Sequence, residues 1–205
     1  MFERIYKRII FAAACAIFFF CPARADAHLV TTGLGPVYDG IGHFFLSPGD
    51  ALSALALALL AGLRGTTAGR RALFILPVAW LVGGLIGLTT TGWKSPPEEI
   101  VGALSFLLLG ILIASDIALP TAVVALLAAL LGGAHGFFNG VAMRESEGAR
   151  ELLGIAATLF VIVALASALA VAARPLWARI ACRVAGSWIA ASGLLWTGWV
   201  LHGAK

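Results

Sequence analysis

Apolar runs broken by short polar clusters organise this chain. Six of them follow residue 47, at about 48–63, 70–91, 96–115, 120–141, 150–173 and 175–202. Each is predicted to be a helix. Ser47, Pro48 and Asp50 make a helix start, with a capping hydroxyl, a proline in the first turn and an early acid. "SPPEE" at 95–99 repeats that pattern before the third run, where Glu98 and Glu99 read as cap acids that could also attract cations. Pro77 lies inside the second run and is expected to kink it. A helix rises about 1.5 Å per residue, so runs of roughly 20 residues cover a hydrocarbon core of about 30 Å. The first run is short for that purpose.

Composition gives the runs their setting. Of 205 residues, 61% are hydrophobic and only 12% charged, and mean hydropathy is +1.00. A soluble domain would expose far more Lys and Glu. The expected fold is therefore all-α, a polytopic membrane helix bundle with six transmembrane helices. Its first partner is the lipid bilayer. The formal charge of +4 comes from basic residues at the ends of runs, which points to membrane topology and not to nucleic acid.

The N-terminus reads as a signal peptide. Arg4, Lys7 and Arg8 precede the apolar stretch 9–20, and "ADA" at 25–27 fits a small-x-small cleavage pattern. Cleavage after Ala27 makes 1–27 the signal and 28–205 a single transmembrane domain; an uncleaved anchor is the alternative. Cys15 and Cys21 leave with the signal, so Cys182 has no partner for an intramolecular disulfide. The sequence has no CxxC zinc pattern, P-loop or GxGxxG fingerprint.

Charge sets the orientation. Arg64, Arg70, Arg71, Arg174, Arg179 and Arg183 fall in the loops after the first and fifth runs. The opposite loops and the C-terminus hold Lys94, Arg144, Arg150 and Lys205, diluted by glutamates. The arginine-rich side is expected to be cytoplasmic. Signal cleavage and six spans then put both mature termini on the outer side. Trp93, Trp196 and Trp199 fall near the outer boundary, as an aromatic belt would place them.

This topology puts all four histidines, His28, His43, His135 and His202, in the outer half. "YDGIGHFF" at 38–45 sets Asp39 and His43 at i, i+4, on one face of a short re-entrant or interfacial helix over 36–46. A carboxylate and an imidazole suit a borderline divalent metal, or the carboxylate orients the ring; a plain turn-fixing hydrogen bond is the simpler reading. In "GGAHGFFNG", Gly132, Gly136 and Gly140 form a stripe for close helix approach, beside His135 and Asn139 at i, i+4. Polar groups at such depth are costly unless paired or facing a cavity. Interhelical packing is the alternative there. Cleavage after Ala27 would leave His28 as an amine–imidazole chelator. His202 reads as an interfacial residue beside Trp199. Asp116 and Cys182 stand isolated in the cytoplasmic half.

"HLVTTGLGPVYDGIGHFFLSPGD" followed by "ALALLAGLRG" resembles the second branch of the HupE/UreJ family. The resemblance covers most of the mature chain. It implies a small polytopic membrane protein associated with nickel supply to hydrogenase and urease. The better-known branch carries H-P-x-x-G-x-D-H before its first span and a His-Gly-x-x-His-Gly-like motif in a later helix. Pro36, Asp39 and His43 are similar to the first motif, and His135, Gly136 and Gly140 to the second. Gly35 stands in place of a leading histidine, Asp39 is offset from His43, and Asn139 stands in place of a second histidine.

The function expected from this is a metal permease or metal-handling accessory of the bacterial inner membrane, with both mature termini periplasmic, and not an enzyme. His28, Asp39, His43, His135 and Asn139 are its expected periplasmic-side metal set, with the short 36–46 segment folded against the fourth run. Nickel is the implied cargo; cobalt, copper or zinc would suit the same donors. Hydrogenase or urease maturation systems are the implied partners. A membrane-embedded metal hydrolase and a structural partner of a membrane enzyme complex are the alternatives.

Overall fold

A computed structural model of the chain describes residues 32–92, 98–173 and 175–203. The predicted signal peptide, His28, Trp93 and Lys94 lie outside these residues. Among the described residues seven helices follow in order: α1 Pro36–Leu46, α2 Pro48–Leu63, α3 Thr66–Thr89, α4 Glu98–Ser115, α5 Thr121–Ala142, α6 Gly148–Ala172 and α7 Leu176–Gly203. Among the described residues there is no strand. Four helices, α3, α5, α6 and α7, are long and apolar enough to cross a membrane. The pair α1 and α2 passes the same test when taken together, and α4 is apolar but shorter.

The break between α1 and α2 has a local cause. Pro48 disfavours the helical region for the residue before it. Ser47 accordingly sits at φ −99° and ψ 88°, and the two helices meet at 79°. α1 therefore turns away from the axis of α2 instead of continuing it. Through Pro77, by contrast, α3 continues as one helix.

Glycines set the closest approaches. A methyl group added at Gly136 would fall on the Trp80 carbonyl, and one at Gly140 on the Gly84 carbonyl. Gly83 and Gly87 of α3 press in return on the Gly133 and Phe137 carbonyls. The glycine stripe thus receives α3, not the 36–46 segment that the sequence suggested. α1 docks instead on α6, where Gly40 meets Glu151 and Gly154 meets Val37, backbone to backbone. The core between these helices is built from Leu57 and Leu60, Leu76 and Trp80, Leu152, Ile155 and Leu159.

α4 and α7 form a second layer. Gly110 of α4 packs on Ala190, and Gly186 and Gly193 of α7 pack on Ala114 and Leu107. This pair meets the other five helices chiefly through α2 against α4, and α7 lies largely exposed along its length.

Candidate metal centre

The first turn of α2 carries Asp50 into the interior, where it is 8% exposed. His135 and Asn139, one turn apart on α5, are 4% and 6% exposed. His135 Nδ1 lies 2.7 Å from Asp50 Oδ1. Asn139 Nδ2 donates to Asp50 Oδ2 at 2.9 Å and to the His135 carbonyl at 3.0 Å. A buried carboxylate is costly unless its oxygens are satisfied; here an imidazole and an amide each take one.

These bonds fix what remains free. An ionised carboxylate only accepts, so Nδ1–H donates to Asp50; in the neutral imidazole that a metal requires, Nε2 then carries the lone pair. Ser105 of α4 lies 3.1 Å from Nε2, placing its hydroxyl to donate. With both Asn139 amide hydrogens donated, Oδ1 is the other spare acceptor. It is buried and has no hydrogen-bond partner among the described residues. Trp80 lies against the imidazole at 5.4 Å between ring centroids, and Phe44 of α1 packs on Trp80 in turn at 6.1 Å.

A cavity of about 280 Å³ opens over this triad. His43, Ser47, Asp50, Glu99, His135 and Asn139 supply its polar wall, and Gly102, Phe138 and Trp196 help to line the rest. Two imidazoles, two carboxylates and an amide therefore face one space. Among the described residues no three His, Cys, Asp or Glu side chains stand close enough to enclose an ion as they are.

Of the residues singled out from sequence, His43, His135 and Asn139 line this cavity. Asp39 does not line it; its carboxylate accepts from the Thr32 amide at 2.5 Å and hydroxyl at 2.7 Å. His28 falls outside the described residues. Asp50 and Ser105 were not foreseen in the site, and Glu99 only as a cap acid that could attract cations. Asp50 and Glu99 read as helix-start acids, and Ser105 as one small residue in an apolar run. Nothing local set Asp50 apart from an ordinary acid in the first turn of a helix.

The opposite end holds a second polar cluster. Arg64, at the end of α2, pairs through one guanidinium nitrogen with the Asp116 carboxylate. Its other terminal nitrogen reaches the Ile117 carbonyl at 2.7 Å. Arg179 of α7 takes the other Asp116 oxygen at 2.7 Å. Asp116 is thus not isolated, as its position in the sequence suggested. Burial pushes its carboxyl up, but hydrogen bonds and charge from Arg64 and Arg179 outweigh this and leave it below its usual value.

Helices long and apolar enough to span, a sharply broken helix pair and a cavity with a buried carboxylate–imidazole–amide set are the features of a multi-pass membrane protein with an internal polar site. The chain belongs to the HupE/UreJ family: the HupE / UreJ protein family model matches residues 16–196. It is similar to Protein HupE of Rhizobium leguminosarum bv. viciae, with 27% identity over 177 residues, 84% of this chain and 89% of that protein. No solved structure matches it.

Proposed function

We propose that this protein is a permease for a transition-metal ion, nickel first, and that the cavity over Asp50, His135 and Asn139 is its uptake site. The family is associated with nickel and cobalt transport for hydrogenase and urease. Its members are accessory or transport proteins and not known enzymes, which favours this reading over a hydrolase. The observation that carries the proposal is the unpartnered Asn139 Oδ1 next to His135 Nε2, which meets only the Ser105 hydroxyl, beside His43 and Glu99 in one cavity.

Asp50 orients His135 from behind, as carboxylates commonly do for metal-binding imidazoles. An incoming ion would displace the Ser105 hydroxyl from Nε2 and draw on Asn139, His43 and Glu99. Imidazole, amide and carboxylate donors suit nickel and cobalt. Donors that must gather around the ion hold it with moderate affinity, which transport requires, because an ion bound too tightly does not leave. The arginines at the far end, Arg64, Arg70, Arg71, Arg179 and Arg183, support a cytoplasmic assignment for that end. The cavity then opens to the periplasm from the bacterial inner membrane.

Cells expressing the protein are expected to accumulate radioactive nickel above empty-vector cells, with cobalt, copper and zinc as competitors. No accumulation of any of the four ions sinks the permease reading.

A further inference from the structure

Resting on the permease reading, we propose that α4 and α7 rock as a unit against the other five helices, and that the Arg64–Asp116 pair is the gate at the far end of the path.

The seam between the two units runs the length of the molecule. At the cavity end, His43, Asp50, His135 and Asn139 face it from one unit, and Glu99, Gly102 and Trp196 from the other. Ser105 crosses it to reach His135 Nε2 at 3.1 Å. Below Ser105 the seam is apolar and closed: Leu109 and Ile113 of α4 join the same buried core as Leu57 and Leu60 of α2. At the far end polar contact returns. Arg64 crosses from α2 to the Asp116 carboxylate and the Ile117 carbonyl, while Arg179 and Arg183 hold Asp116 and Ala114 from within the α4–α7 unit.

The two ends are joined by stiff elements. Asp50 and Arg64 are 14 positions apart on α2, roughly 21 Å along a helix. Ser105 lies on α4 and Asp116 immediately past its end, each in contact with the other unit. An ion drawn between Glu99 on one unit and His43, His135 and Asn139 on the other pulls the cavity end together. Rotation about the apolar middle then parts the far end, where Arg64 must leave Asp116.

Two features mark that end as costly to hold. The Arg64 side chain is 8% exposed, and its Nε has no hydrogen-bond partner among the described residues. Asp116 occupies φ +52°, the left-handed region that non-glycine residues seldom adopt. Asp116 keeps Arg179 when Arg64 leaves it, so the contact can part without stranding the carboxylate, provided Arg64 meets water as the end opens.

Thiol accessibility tests this in protein reconstituted in liposomes, with Cys15, Cys21 and Cys182 replaced by serine. Leu60→Cys lies one turn ahead of Arg64 on α2, inside the gate. Leu159→Cys, in the core of α6, is the folding control. A membrane-impermeant thiol reagent is applied from the Arg64 side. Asp116→Asn and, separately, Arg64→Gln are expected to raise labelling of Leu60→Cys at least tenfold while Leu159→Cys stays protected. Nickel supplied from the cavity side is expected to raise it in protein with the gate residues intact. Unchanged protection of Leu60→Cys in both variants overturns the gate. So does exposure of both cysteines together in both variants, since the pair would then staple the whole fold. The labelling in the variants needs no transport: a labelling shift without uptake sinks the permease reading alone, and uptake without a shift sinks the gate alone.

Discussion

Asp50 and His135 lie 85 positions apart in sequence and 2.7 Å apart in the folded chain, carboxylate oxygen to imidazole Nδ1. That contact brings α2 and α5 together at the site and decides which imidazole nitrogen is left for a ligand. Asp50→Asn keeps an acceptor for His135 but sets an amide hydrogen against the Asn139 amide. It is expected to cost about 1–3 kcal/mol of stability, as an unsatisfied buried polar group does. Loss of the orienting carboxylate is expected to lower nickel affinity roughly 10–100-fold. Thermal unfolding in detergent and equilibrium nickel binding check the two effects; unchanged binding would mean that Asp50 does not orient the ligand.

Ser105→Ala separates competitor from ligand. The Ser105 hydroxyl occupies Nε2 when the cavity is empty, so its removal is expected to leave nickel binding equal or tighter. His135→Ala is expected to abolish it. Titration of the two purified variants decides, and a loss of binding in Ser105→Ala would make the hydroxyl a ligand.

The glycines of α5 differ in what they meet, and their substitutions are expected to differ accordingly. An alanine methyl at Gly136 would fall on the Trp80 carbonyl, whereas Gly133 has open space where its Cβ would stand. Gly136→Ala must push α3 and α5 apart and is expected to cost about 1–3 kcal/mol. Gly133→Ala is expected to change stability by less than about 0.5 kcal/mol. Unfolding temperatures of the two variants side by side measure the contrast.

The Asp116 carboxyl sits below its usual value in the folded chain. A lowered carboxyl contributes stability that is fully present above its unfolded value of about 3.9 and is lost as pH falls through the folded value. The stability difference between wild type and Asp116→Asn is therefore expected to be flat from about pH 5 to 8 and to shrink only below about pH 4. Unfolding across that pH series checks it; a difference that changes near pH 6 to 7 would implicate another group.

Much of the bundle was legible because its signals are local. The apolar runs end at prolines, glycines or charges, and the helices begin and end within a few residues of them. Pro48 marked the break after Ser47 in the same way. The glycine stripe on α5 announced a close approach, but nothing local in it names α3 as the partner. The site divides along the same line. His135 and Asn139 stood out because polar groups are rare in such a run. Asp50 did not, because an acid after Ser-Pro is what an ordinary helix start contains. Its burial is decided by α5, 85 residues later. Asp39 attracted attention by its spacing from His43, and its carboxylate is satisfied by Thr32 instead.

The most direct measurement is nickel uptake into liposomes containing purified wild-type protein or His135→Gln, reconstituted in equal amounts. Wild type is predicted to load the vesicles with time, and His135→Gln to be at least tenfold slower. Equal uptake by the two proteins would contradict the assignment of the cavity, and no uptake by either would contradict the transport reading.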